Sequence, residues 1–400
     1  MSEKTLKPSI RFKGFTEDWE QCELTKLGRI ETGNTPSTAI EDYYSDTGLL
    51  WVTPTDIISN IIVNTDKKLT TKGIAVARVI PANSILCTCI ASIGKNAFLP
   101  VKCAFNQQIN ALTPFENNDP YFLFTNSYHW SQTMKKGAGG LTFQIVNKTE
   151  FSNIKTHVPE HVEQKKIGQL FYKLDNLITL HQRKYDKLLN IKKSLLEKMF
   201  PQNGDLTPQI RFKGFTEDWE QCELGNISSS FSGGTPTATN KDYYVGTIPF
   251  IRSGEINEDK TELFINEKAL NESSAKIVKK GDILYALYGA TSGEVAISKL
   301  NGAINQAVLA IIPINGYDSN FLMQWLKNRK KSIVDTYIQG GQGNLSAAIV
   351  KSLTLNIPNY NEQYQIGVLL QTVDNLITLH QRKLEKLKNI KKSLLEKMFV

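Results

Sequence analysis

Four hundred residues, 40% hydrophobic and 22% charged, exclude a disordered or fibrous chain and leave room for two or three domains with cores of their own. A formal charge of +8 permits a nucleic-acid partner without requiring one. The opening residues MSEKTLKPSIRFKGF hold no apolar signal core, and the longest apolar runs, near residues 85–93 and 303–312, are too short to span a bilayer, so the expected location is the cytoplasm. Five cysteines, Cys22, Cys87, Cys89, Cys103 and Cys222, form an odd set without C-x-x-C spacing. They point to neither a disulfide framework nor a zinc site, and Cys87 and Cys89 read as buried thiols on one face of a strand.

In chain order, residues 10–24, IRFKGFTEDWEQCEL, return letter for letter at 210–224, each time two residues after a proline, Pro8 and Pro208. The globular stretch that follows keeps a common skeleton in both copies. Gly33-Asn34-Thr35-Pro36 matches Gly233-Gly234-Thr235-Pro236, and Asp42-Tyr43-Tyr44 matches Asp242-Tyr243-Tyr244. Residues 51–57 match 250–256 as a strand-like run, and Asn106-Gln107 matches Asn305-Gln306. Apolar strands are expected to open at Ser84 and Asp282. Glycine-rich loops at 137–140 and 340–343 precede strand-like exits at 153–158 and 352–357. Each copy therefore reads as one mixed α/β domain whose sheet carries long loops.

Residues 163–200 then read as one long amphipathic helix, repeated at 362–399, with the block 175–184 recurring unchanged at 374–383. At ~1.5 Å per residue such a helix is roughly 57 Å long, more than one domain needs. Ile167, Leu174, Leu188 and Leu195 lie on a seven-residue repeat interrupted by His181; Ile366, Val373, Leu387 and Leu394 lie on its copy, interrupted by His380. A second column is read three residues on, at Leu170, Leu177 and Ile191. Two such stripes ask for each other, antiparallel about a two-fold axis. Pro201 ends the first helix, and the opening block stands where it would follow the second, so the chain reads as a ring cut once, with neighbouring termini. The expected organisation is a recognition domain at 1–162, a spacer helix at 163–200, a second recognition domain at 201–361 and a second helix at 362–400.

Catalytic motifs are missing. The histidines, His129, His157, His161, His181 and His380, form no H-E-x-x-H, and there is no G-x-S-x-G, P-loop or G-x-G-x-x-G after a strand. Gly340-Gly341-Gln342-Gly343 lacks the Lys-Ser/Thr that completes a phosphate cradle. The Asp-Tyr-Tyr blocks lack the prolines of the motif by which amino-methyltransferases hold a flipped adenine.

The marker Pro-x-Ile-Arg-Phe-x-Gly-Phe-x-x-x-Trp, the Gly-x-Thr-Pro followed by Tyr-Tyr, the Asn-Gln pair, and helices that open Glu-Gln-x-x-Ile-Gly and carry Asp-Asn-Leu-Ile closely resemble the specificity subunit of type I restriction-modification enzymes, over essentially the whole chain and twice. The resemblance implies a non-enzymatic reader of double-stranded DNA. Two recognition domains, held apart by antiparallel helices, would each read half of a split target. It also implies two methyltransferase subunits that bring S-adenosylmethionine and methylate adenine, and restriction subunits that use ATP and Mg. A coiled-coil adaptor that reads no DNA is the alternative.

Positions equal in both copies, such as Thr35, Pro36, Asn106 and Gln107, are expected to brace the fold or touch phosphate, whereas unequal positions in matched loops tell two half-sites apart. Thr53 stands opposite Arg252, which has the fork that binds guanine, and Ser253 follows it. Lys95 stands opposite Glu294, and Ser92, Tyr288 and Ser292 share their loops. Gln144, Gln339, Gln342 and Asn344 flank the glycine-rich loops as candidates for adenine edges. The plain alternative at each is a solvated side chain or a surface ion pair.

Overall fold

The computed structural model describes residues 6–90, 92–137, 145–202, 204–338 and 344–400. They fall into two units, the first made of Met1–Arg183 with Gln381–Val400 and the second of Lys184–His380. Four helices matter below: α1 (Pro120–Gly137), α2 (His161–Lys198), α3 (Ser319–Tyr337) and α4 (Tyr360–Lys397). Each unit takes one end of α2 and one end of α4. None of the described helices is long and apolar enough to cross a membrane.

In the first unit an antiparallel sheet runs Gly28–Thr32, Ile109–Pro114, Ser84–Thr88, Asn96–Leu99 in space. Strand side chains alternate between faces, and here both faces are covered. Ile85 and Cys87 join a core with Phe122, Leu123 and Trp130 of α1, while Leu86 joins Val52, Ile80 and Phe105 of a second sheet. That is why Ser84–Thr88 is buried at every position. The second sheet is ordered Tyr44–Ser45, Lys68–Leu69, Leu49–Val52, Cys103–Phe105, Val79–Ile80, with one parallel pair between Leu49–Val52 and Cys103–Phe105.

The second unit repeats this layering. Ile283 and Tyr285 face the α3 side, and Leu284 and Ala286 the other. Each unit thus holds two sheets, plus a two-stranded ribbon (Glu20–Glu23 with Lys155–Val158; Glu220–Glu223 with Thr354–Ile357), where the sequence had pointed to one sheet. The runs at 51–57 and 250–256 stop being strands at Val52 and Ile251, because the chain turns there around a carboxylate, Asp56 or Glu255.

The repeated motifs assemble one junction per unit. Arg11 forks onto Glu163 with both bonds at 2.7 Å, and Arg211 onto Glu362 at 2.7 and 2.8 Å, while both carboxylates are fully buried. Gln164 accepts from the Asp119 N–H at 3.0 Å and donates to the Pro159 carbonyl at 2.9 Å; Gln363 does the same with Asp318 and Pro358. Asp119 and Asp318 accept from Phe122 and Phe321, each at 2.8 Å, at the starts of α1 and α3. Burial pushes both carboxyls up, against those hydrogen bonds. Gly168 and Gly367 let the long helices pass over these helix starts, since a Cβ on Gly168 would collide with Asp119 Oδ1.

Within the first unit Phe171 of α2 meets Phe399, with centroids 5.7 Å apart, and Asp175 meets Lys391 at 2.5 Å, so the helix ends pair antiparallel. Within the second, Lys192 pairs with Asp374, and Met199 and Phe200 share a core with Ile366 and Leu370. Ile167, Leu174, Ile366 and Val373 are buried as expected; Leu188, Leu195, Leu387 and Leu394 are partly buried, as are His181 and His380. The second column is corrected. Its buried members lie four residues on, at Phe171, Leu370 and Ile377; Leu170 is partly buried against the first unit's core, whereas Leu177 and Ile191 are 43% and 38% exposed. One seven-residue column does not fix whether its companion lies three or four away; the bulk at Phe171 and Leu370 decides it.

The opening block closes over the chain's last helix as expected of neighbouring termini. Ser9 Oγ and the Ile10 N–H donate to the Lys397 carbonyl at 3.1 and 2.9 Å, and the Ile210 N–H donates to Lys198 at 2.9 Å in the second unit.

Candidate nucleic-acid interface

The shared residues turn out to be braces. Thr35 Oγ1 donates to Gln107 and Thr235 Oγ1 to Gln306, the latter at 2.7 Å. The Tyr44 and Tyr244 hydroxyls donate to the Pro36 and Pro236 carbonyls at 2.6 and 2.7 Å, which absorbs one tyrosine of each Tyr-Tyr pair into the fold. Gly33 and Gly233 lie against the backbone of the parallel strand, where a Cβ would strike Phe105 O or Ile304 O.

The loops after the first matched strands are built alike and finished differently. Asp56 accepts from the Thr53 N–H and hydroxyl at 2.8 and 2.6 Å and from the Asp66 N–H at 3.2 Å. Glu255 takes the same place, accepting from the Arg252 and Glu262 N–H groups at 3.1 and 3.0 Å. Arg252 adds its guanidinium to Glu255 at 2.9 and 3.0 Å and to Glu262 at 2.6 Å, so its fork is already occupied and its pKa rises. Burial pushes the Glu255 carboxyl up, but the bonds from Arg252 and the two N–H groups outweigh it and hold it at about 2. Ser253 is half-buried beside it.

The second loop pair crosses from the central sheet to the segment beyond the glycine-rich loop. Ile90 bridges Ile145 and Tyr288 bridges Asn344, so Tyr288 and Asn344 are neighbours. Thr88 Oγ1 donates to the Ser92 carbonyl at 2.5 Å and accepts from the Lys95 N–H at 2.9 Å; the Lys95 side chain is exposed, with no carboxylate beside it among the described residues. Ser292 is buried and donates to Leu287 at 3.1 Å, a bracing role. Glu294 pairs with Lys330 of α3. Tyr288 is 37% exposed, and Asn344 accepts weakly from the Gly289 N–H at 3.4 Å. Gln144, Gln339 and Gln342 lie outside the described residues.

Reading the chain by loops alone missed the polar ties between helices and domains. Asp175 gathers Lys391, the Tyr121 hydroxyl at 2.8 Å and Asn60 at 3.3 Å; Asp374 gathers Lys192 and Gln324 at 2.8 Å. The repeated block 175–184 was their signal. Among the described residues no cluster of three or more His, Cys, Asp or Glu side chains is arranged to hold a metal.

Comparison with known proteins fits this duplicated arrangement. A family model described as a type I restriction modification DNA specificity domain matches residues 16–190 and again 216–389. The type I restriction enzyme MjaVIII specificity subunit of Methanocaldococcus jannaschii is 23% identical over 403 residues, covering 95% of this chain and 91% of that protein. The HindI specificity subunit of Haemophilus influenzae is 30% identical over 199 residues, covering 47% of this chain and 42% of that protein. A crystal structure of the S subunit of a type I restriction-modification system from M. genitalium superposes with a TM-score of 0.72 at 14% identity, covering 98% of this chain and 99% of that one, which speaks for the fold. With both halves of its length matched, the chain belongs to the type I restriction-modification DNA specificity family and carries the specificity domain twice.

Proposed function

We propose that this chain is the non-catalytic, DNA-reading subunit of a type I restriction-modification assembly, and that each unit reads one half of a split duplex target. The observation that carries this is the doubled specificity domain, whose copies agree at the braces and differ at the loop ends. Lys95 is exposed where Glu294 is paired, and Thr53 braces a loop where Arg252 is clamped. Two unequal heads suit an asymmetric target, because base discrimination of about 1 to 3 kcal/mol per good contact comes from the side chains that differ. Methyltransferase subunits would supply S-adenosylmethionine and the adenine chemistry; restriction subunits would join through them with ATP and Mg. The family assignment and the doubled fold support this reading over a plain adaptor.

Co-expression with a methyltransferase subunit, followed by mapping of methylated adenines, tests it. A single two-part motif is the expected result. Methylation without a motif, or none, sinks the reading and leaves the adaptor.

A further inference from the structure

A cavity of about 410 Å³ opens in the second unit between α3 and the ribbon strand Thr354–Ile357, with Phe200 and Pro201 at one end. Its α3 wall presents Trp325, Arg329, Ile333 and Tyr337, four residues apart and therefore on one helix face. Arg329 is half-buried at the centre of that face. The other two arginines of this unit are forked onto carboxylates, Arg211 onto Glu362 and Arg252 onto Glu255 and Glu262. Arg329 has no acceptor for its guanidinium among the described residues. A planar five-donor group without a partner at the wall of a cavity selects an oxyanion that answers its fork.

The matched position in the first unit is apolar and buried. Counting from Phe122 and Phe321, which stand alike beside Trp19 and Trp219, Arg329 corresponds to Trp130 and Trp325 to Asn126. Trp130 is 1% exposed in the core, and Asn126 ties itself to Thr156 Oγ1 at 3.0 Å and to the His157 carbonyl at 3.1 Å. The second unit has a charge where its copy has an indole. This contrast separates the cavity from the braces that both units need for their fold.

We infer that this cavity binds a small molecule bearing a single phosphate or carboxylate, with Arg329 as the group that grips the oxyanion. Thr336, Thr354 and Gln221, all exposed, line the space with further donors. Asp205 on the rim opposes polyanions, so one oxyanion fits better than a nucleic-acid strand or a triphosphate. The volume lies near the lower end of the 300 to 1,000 Å³ or so typical of small-ligand pockets, enough for about a mononucleotide or an amino acid. No residue of the loops at 252–262 or 288–294 lines the cavity, which separates it from the candidate DNA-reading positions.

The test is calorimetric titration of the full chain with inorganic phosphate, adenosine 5′-monophosphate and glutamate, at millimolar concentration and fixed ionic strength. At least one should bind, and Arg329→Gln should weaken it about tenfold or more. Binding of phosphate and the nucleotide without glutamate identifies a phosphate site, and glutamate alone a carboxylate site. Arg329→Trp, which copies the first unit, should abolish binding while the hydrogen exchange of Glu220–Glu223 shows the fold intact. Absence of heat with all three probes, or undiminished binding by the folded Arg329→Gln protein, overturns the proposal.

Discussion

Arg11 and Glu163 lie 152 positions apart in the chain and share two hydrogen bonds of 2.7 Å, with the carboxylate fully buried. Removing one partner of a buried pair strands the other, at a cost of about 3 to 5 kcal/mol. Arg11→Ala should therefore lower hydrogen-exchange protection of Glu20–Glu23 while leaving Glu220–Glu223 unchanged, and Arg211→Ala should do the reverse. Equal loss in both ribbons would contradict a separate junction in each unit.

Phe399, next to last in the chain, stacks on Phe122 at 5.6 Å and meets Trp19 at 5.8 Å edge-on. Phe200 takes that place in the second unit, 5.3 Å from Phe321 and 6.2 Å from Trp219. Phe399→Ala should cost the first unit roughly 3 to 5 kcal/mol. Thermal unfolding should then show an earlier transition, assigned to the first unit by the fluorescence of its tryptophans in single-unit tryptophan variants.

Gly168 is mid-helix, where alanine ordinarily gains up to about 1 kcal/mol. Here the added Cβ strikes Asp119 Oδ1 and lies 2.9 Å from the Phe122 nitrogen. Overpacking of about 1 to 3 kcal/mol wins, so Gly168→Ala should destabilise the chain. Gly367→Ala, with Asp318 Oδ1 at 2.6 Å, should act in the same direction. Urea midpoints decide the sign.

His129 is held below its ordinary value of 6.5 by burial, partly offset by a bond to the Leu395 backbone. A depressed histidine favours its neutral form in the folded chain. Its contribution is complete above the unfolded value of about 6.5 and is lost as pH falls through the lower folded value. The second unit has Asn328 in this position, donating to Leu196 at 3.3 Å. His129→Asn should keep the bond and reduce the loss of stability between neutral and mildly acidic pH. An unchanged pH profile of urea midpoints would remove His129 as its cause.

Arg252 is clamped, so its replacement tests bracing and reading together. Arg252→Ala and Glu262→Ala both loosen the loop's outer tie, but only the first removes the guanidinium. If Arg252 reads a base, methylation mapping should show one half of the motif relaxed in Arg252→Ala and retained in Glu262→Ala. The same change in both variants would assign the effect to loop geometry.

The repeats and the long helices were legible in residues 10–24, 175–184 and their copies at 210–224 and 374–383, because identical strings recurring at nearly the same distance report duplication without any knowledge of contacts. The shared Thr-Pro and Gln positions were legible as braces for the same reason. What the letters left open was every choice that depends on a neighbour distant in the chain. Arg11 and Arg252 are chemically the same residue, yet one clamps a buried helix start and the other a loop carboxylate. The second helical column lay four residues on because Phe171 and Leu370 fill space that Leu177 does not reach. Sequence periodicity fixes which faces are apolar; only packing decides which of two adjacent columns meets a core and whether a charge finds a partner or is left facing a cavity.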